Sequence, residues 1–271
     1  MFYEQVEESV QYIRKHVKTE PLIGIILGSG LGSLVEMMED KEVLSYQDIP
    51  HFPQSRVAGH AGNLVFGRIG NQRLIVMQGR FHYYEGFSMK EVTYPIYVMK
   101  LLGVRDLIVT NACGGINPEF TPGDLMIIDD FINSLDVNPL IGDNDERFGP
   151  RFPDMSEPYS IQLREKAEQV ADQLAIPYRH GVYTLFQGPD YETAAEIRMY
   201  ARAGSDAIGM STVPETIAAN YLGIRVLGIA CITNMATGIA KEKHSHEEVV
   251  KMANKSSARL CTWMEALLKE W

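Results

Sequence analysis

Basic residues are in short supply. The 271-residue chain carries 25 Lys and Arg against 35 Asp and Glu, a formal charge of -10. Such a field suits nucleic acid poorly, yet leaves room for a local basic pocket that takes a small anion. Long apolar runs are missing as well: none approaches the roughly 20 residues that cross a bilayer. The opening M-F-Y-E-Q-V-E-E is acidic and lacks the basic start and apolar core of a signal peptide. No membrane or nucleic-acid partner is therefore expected. Cysteine is scarce and odd in number. Cys113, Cys231 and Cys261 are far apart and form neither a C-x-x-C pair nor a disulfide framework, so the reducing cytoplasm is the expected compartment. His244 and His246 stand only two apart, and no His/Cys cluster has metal-ligand spacing, so no metal is expected. Internal repeats, low-complexity tracts and linkers are absent too, and one domain over 1–271 is the expectation.

What is present alternates. Phe2, Val6, Val10, Ile13 and Val17 recur at helical spacing. Residues 22–27 are a short apolar run that enters the glycine loop G-S-G-L-G at 28–32. Apolar segments at 64–66 and 74–77 flank Gly70-Asn71 as a hairpin would. Ser88 with Glu91, Thr193 with Glu196 and Ser245 with Glu248 look like helix starts, the first two as capping boxes, and Pro214 suits a first helical position. Further apolar strands are expected at 107–110, 125–128, 181–185, 207–210 and 226–233, with a helix over 162–174. Residues 136–158 form a long polar loop, a length that points to function or mobility. Near-continuous apolar strands separated mostly by helices predict an α/β fold: a twisted, mixed, largely parallel sheet surrounded by helices.

Unusual polar residues collect where the predicted strands end, which is where ligands bind in open α/β sheets. The densest stretch is G-R-F-H-Y-Y-E-G at 79–86. If extended, it projects Arg80, His82 and Tyr84 to one side, a trio suited to an oxyanion beside a flat or sugar-like ligand. A polar turn with an exposed arginine is the plainer reading. G-S-G-L-G departs from the dinucleotide fingerprint at Ser33 and lacks the lysine of a P-loop. As a glycine loop feeding a helix, it could still bind one phosphate through its N–H groups and the Ser29 hydroxyl, or the glycines could simply make a turn. His60, between the glycines of G-H-A-G, reads as either a ligand or a solvated loop residue. In N-A-C-G-G (111–115) the glycines let the backbone approach a ligand, with the Ala112 N–H as a candidate donor, or they mark a turn. Glu192 in G-P-D-Y-E-T is either a carboxylate for heterocycle N–H groups or a helix cap. Asn234, after a very apolar strand, is either a base-reading amide or a turn residue. His246, in the first turn of the last helix, reads as solvent-facing on local grounds alone.

Taken in order, G-S-G-L-G, G-H-A-G, G-R-F-H-Y-Y-E-G, T-N-A-C-G-G, R-F-P-D-M-S, G-P-D-Y-E-T, G-M-S-T-V-P-E and I-T-N-M-A-T-G resemble the purine nucleoside phosphorylases of the trimeric, low-molecular-mass class, over nearly the whole chain. The resemblance implies a phosphorylase/hydrolase-like fold and a homotrimer. It implies phosphorolysis of purine nucleosides in purine salvage, with inorganic phosphate as co-substrate and no metal or organic cofactor. It maps phosphate binding onto Ser29, His60, Arg80, His82, Ala112 and Ser211. Purine reading falls on Glu192, Asn234 and Tyr191, and ribose contacts on Tyr84, Met210, His246 and a Phe152 contributed by a neighbouring subunit. Tyr183 and Val249 are implied to line the pocket, and Asn234, Glu192 and His82 to carry catalysis. Asn at 234, where methylthioadenosine phosphorylases usually carry Asp, implies a preference for 6-oxo purines such as inosine and guanosine. A nucleoside hydrolase would need an Asp cluster for calcium, a nucleotide-binding oxidoreductase an intact glycine fingerprint; a ligand-binding protein without turnover would keep the pocket alone.

Overall fold

A computed structural model describes residues 1–28, 32–54, 61–240 and 246–271, except for the side chain of His246. Helices are α1 (Phe2–His16), α2 (Met89–Leu102), α3 (Ile161–Gln173), α4 (Ala194–Arg202), α5 (Val213–Tyr221) and α6 (His246–Glu270). Strands are β1 (Ile23–Leu27), β2 (Glu39–Ser45), β3 (Asn63–Ile69), β4 (Gln72–Gln78), β5 (Asp106–Gly115), β6 (Leu125–Asn133), β7 (Arg179–Leu185), β8 (Ala207–Gly209) and β9 (Arg225–Met235).

The nine strands form one mixed sheet in the order β2-β3-β4-β1-β5-β8-β7-β6-β9, and β9 also pairs with β5. The second half therefore closes on itself: β5, β8, β7, β6 and β9 form a ring. Parallel pairs β1–β4, β1–β5, β5–β9, β6–β7 and β7–β8 make up the centre. The predicted hairpin, β3–β4, is antiparallel, and so are β2–β3, β5–β8 and β6–β9.

Both faces of the sheet are buried, and the alternation of strand side chains divides them. Ile26, Ile75, Leu107 and Val109 join one core with residues of α1, α2 and α5. Ile23, Ile25, Leu27, Leu74, Val76 and Ile108 join the other with residues of α3 and α6, including the fully buried Trp263. All three cysteines are buried and free. No helix among the described residues is long and apolar enough to cross a membrane.

Local starts follow sequence chemistry. Ser88 and Glu91 form a reciprocal capping box on α2, Thr193 and Glu196 one on α4, and Pro214 sits in the first turn of α5. Three features differ from the sequence expectation. The glycine loop leads into a six-residue 3-10 turn, Gly32–Met37, rather than an α-helix, so no helix dipole of consequence points at it. N-A-C-G-G is not a turn: it is the second half of β5, paired with β9. Asn234 likewise lies within β9 rather than in a loop. The long polar segment does lack regular structure between β6 and α3.

Candidate active site

The C-terminal ends of β1, β5, β8 and β9 and the segments after β4 and β7 converge on a cavity of about 300 Å³. The cavity meets Gly28, Arg80, His82, Tyr84, Asn111–Gly114, Pro189, Tyr191, Glu192, Ile208–Ser211, Thr233, Asn234 and Val249.

One corner is cationic. Arg80 is 2% exposed. Its Nε donates to Glu215 Oε1 at 2.9 Å, and its Nη1 donates to the Thr110 carbonyl at 2.8 Å and to Ser211 Oγ at 3.2 Å. These contacts fix the plane of the guanidinium, and planar forks suit oxyanions. Next to it, Glu85 Oε1 accepts from the His82 backbone N–H and from its ring Nδ1, both at 3.0 Å. A carboxylate only accepts, so Nδ1 carries the proton and Nε2 is the ring's second functional atom. The ring stacks on Tyr84 at a centroid distance of 4.8 Å. Burial, followed by the charge of Glu85, pushes the Tyr84 phenol up to about 12, so it stays a neutral hydroxyl. Arg80, His82 and Tyr84 do share the cavity, although a 3-10 turn at Tyr83–Glu85, closed by Gly86 at φ 92, presents them instead of an extended strand.

Ser211 is held by an unusual turn. Thr212 has φ 79 and ψ -50, and the Val213 N–H donates to the Ser211 carbonyl at 2.9 Å. This is a γ-turn of the rare, strained kind, here at a β-branched residue. The Asn111 amide donates to Thr212 Oγ1 at 2.8 Å and stabilises it. Behind Gly28 the backbone is equally tight: a Cβ there would lie 2.7 Å from Cα of Asn111.

The other end of the cavity presents a carboxylate and an amide. Glu192 is buried, and that burial raises its pKa above the ordinary carboxylate value. It is not the helix cap, since Thr193 takes that role. Asn234 Oδ1 accepts from Thr233 Oγ1 at 3.0 Å and its Nδ2 reaches the Met235 carbonyl at 3.2 Å. These bonds set the amide's orientation. Tyr191, 38% exposed, stands at the mouth of this end.

Of the residues singled out in the sequence, Arg80, His82, Tyr84, Ala112, Tyr191, Glu192, Met210, Ser211, Asn234 and Val249 meet in this cavity. Tyr183 is not among the residues that line it. It is fully buried on β7, packed behind Gly209, where even a methyl group would collide with its hydroxyl. Phe152 is 87% exposed and away from this chain's cavity. Ser29, His60 and the His246 side chain lie outside the described residues. Sequence reasoning gave Glu85 and Asn111 no separate role, although both lie in segments it singled out, and it missed Glu215 and Thr212. The i, i+3 spacing of His82 and Glu85 was a usable signal for the first. Among the described residues, no three His, Cys, Asp or Glu side chains are grouped as metal ligands.

A partly closed α/β sheet with a cationic corner and a carboxylate–amide pair in one cavity at its strand ends narrows the class. Residues 22–269 match the model of the Phosphorylase superfamily. Purine nucleoside phosphorylase 1 of Geobacillus stearothermophilus is 52% identical over 97% of this chain and 96% of that protein. The crystal structure of Schistosoma mansoni purine nucleoside phosphorylase with inosine superimposes with a TM-score of 0.94 at 40% identity, covering 99% of this chain and 96% of that one. A Schistosoma mansoni purine nucleoside phosphorylase with adenosine gives 0.94 at 41%, covering 98% of this chain and 97% of that one. The chain belongs to the phosphorylase superfamily and, within it, to the purine nucleoside phosphorylases, enzymes that transfer glycosyl groups.

Proposed function

We propose that the enzyme cleaves purine ribo- and deoxyribonucleosides by phosphorolysis, prefers 6-oxo purines such as inosine and guanosine, and returns free base and (deoxy)ribose 1-phosphate to salvage. The observation that carries this reading is the shared cavity: the Arg80–Ser211–His82 corner and the Glu192–Asn234 pair line one space. As the bond between C1′ and the purine nitrogen breaks, its electron pair enters the purine and the ribosyl carbon gains positive charge. Phosphate held by Arg80, His82, Ser211 and the Ala112 backbone, with Ser29 and His60 completing the set, stabilises that cation. One of its oxygens then forms the new bond to C1′. Asn234 donates to N7 of the departing base, and Glu192 accepts from N1–H and from any 2-amino group. These contacts strengthen as charge reaches the ring, and so act on the transition state.

Tyr84 and Met210 form the ribose wall, His246 meets the 5′-hydroxyl, and Val249 closes the pocket. Phe152 reaches the sugar of a neighbouring subunit in a homotrimer, a role its exposure supports. No metal or organic cofactor takes part. The 6-oxo preference is a ratio, since a Schistosoma mansoni relative has been crystallised with adenosine as well as with inosine. Phosphorus NMR tests the reading: inosine with inorganic phosphate should give a sugar phosphate ester in step with hypoxanthine. Free ribose with unchanged phosphate would reject it.

A further inference from the structure

Glu215 has no place in the reaction just described. It lies in the first turn of α5, 2% exposed, and 135 residues from its partner Arg80. Its Oε1 accepts from Arg80 Nε, and its Oε2 makes no hydrogen bond among the described residues. A buried carboxylate satisfied at one oxygen is an expensive way to support a fold, and a half-used group calls for another explanation. The surroundings supply it. α5 starts at the strained turn of Thr212, which fixes Ser211 at the cavity and Glu215 behind it on one rigid element. Glu215 grips Arg80 at Nε, while Ser211 and the Thr110 carbonyl grip it at Nη1. The guanidinium plane is thus defined from two sides by groups tied to α5 and β5.

We propose that Glu215 is a positioning residue for phosphate: it holds the Arg80 fork in the orientation that receives the co-substrate, by geometry rather than by charge. The inference rests on the phosphorolysis reading. Withdrawing the carboxylate by one methylene in Glu215→Asp should raise the KM for phosphate by about ten-fold or more while the KM for inosine stays within about two-fold. Glu215→Gln keeps an acceptor oxygen for Nε and should retain near-native phosphate KM despite the lost charge. A residue that merely supported the fold would lower melting temperature and kcat without this separation of the two KM values.

Equal phosphate KM in native enzyme and Glu215→Asp would overturn the proposal, as would Glu215→Gln matching the impairment of Glu215→Asp. If Glu215→Asp fails to fold, Glu215→Leu decides: it keeps much of the side-chain volume but offers Arg80 Nε no acceptor, and must raise phosphate KM by about ten-fold or more against a steady inosine KM; an unchanged phosphate KM would again overturn the role. Native enzyme whose rate ignores phosphate would instead defeat the phosphorolysis reading itself.

Discussion

In the proposed reaction Glu192 and Asn234 ask opposite things of a purine: one accepts, the other donates. Burial makes the ionised form of Glu192 costly in the empty site. A base that donates N1–H and a 2-amino group offsets the cost, so binding should lower the pKa of Glu192. The sign follows. Between the pKa values of the bound and the free enzyme, guanine binding should release protons, and the release should vanish at pH above both. Calorimetry in buffers of different ionisation enthalpy reads this directly; proton uptake would contradict the assignment, and Glu192→Gln should abolish the exchange. Because the free-state pKa lies above the unfolded value, the carboxylate costs stability at neutral pH, and Glu192→Gln should raise the melting temperature while weakening base binding. Asn234→Asp replaces the donor with an acceptor. It should raise the ratio of adenosine to inosine kcat/KM by about ten-fold, and an unchanged ratio would remove Asn234 from base recognition.

Elements can be separated into those that hold the fold and those that also shape the cavity. Ser88 caps α2 and does not line the cavity. Ser88→Ala should cost about 1 kcal/mol, seen as a few degrees in melting temperature, with KM values unchanged. Gly28 is the contrasting case. A methyl group there would press on the Asn111 backbone and force the ends of β1 and β5 apart. Gly28→Ala should cost about 1–3 kcal/mol and also raise the KM for phosphate, because Arg80 bonds the Thr110 carbonyl on the same strand. If both variants lost stability with equally unaffected kinetics, the strand ends would not be setting the geometry of the anion corner.

At the scale of the molecule, much was legible in the sequence, and the gaps have physical causes. Helices with reciprocal caps and doubly buried strands announced themselves through local chemistry. The charged strand β2, E-D-K-E-V-L-S, did not. It lies at the sheet's edge, mostly exposed, where charge guards against unwanted pairing and hides the strand's pattern. β5 and β9 outran their apolar runs because ring closure pairs them through the polar residues that face the cavity. Arg80, His82 and Asn234 could be read from residue type and position, whereas Glu215 could not, its meaning coming only from a partner far away in sequence. The strain at Thr212 has no sequence signal at all.

Phe152 belongs to the whole molecule as well. A site shared between subunits predicts a solution mass of three chains, and Phe152→Ala should raise the KM for inosine more than that for phosphate. A fully active monomer would contradict sharing. In the proposed reaction an oxyanion, not water, captures the ribosyl carbon in the cavity between Arg80 and Asn234. Hypoxanthine release from inosine, followed in phosphate-free buffer and then with phosphate restored, tests it most directly. Release should be negligible without phosphate and saturable with it; equal rates under both conditions would mean that water, not phosphate, captures the sugar.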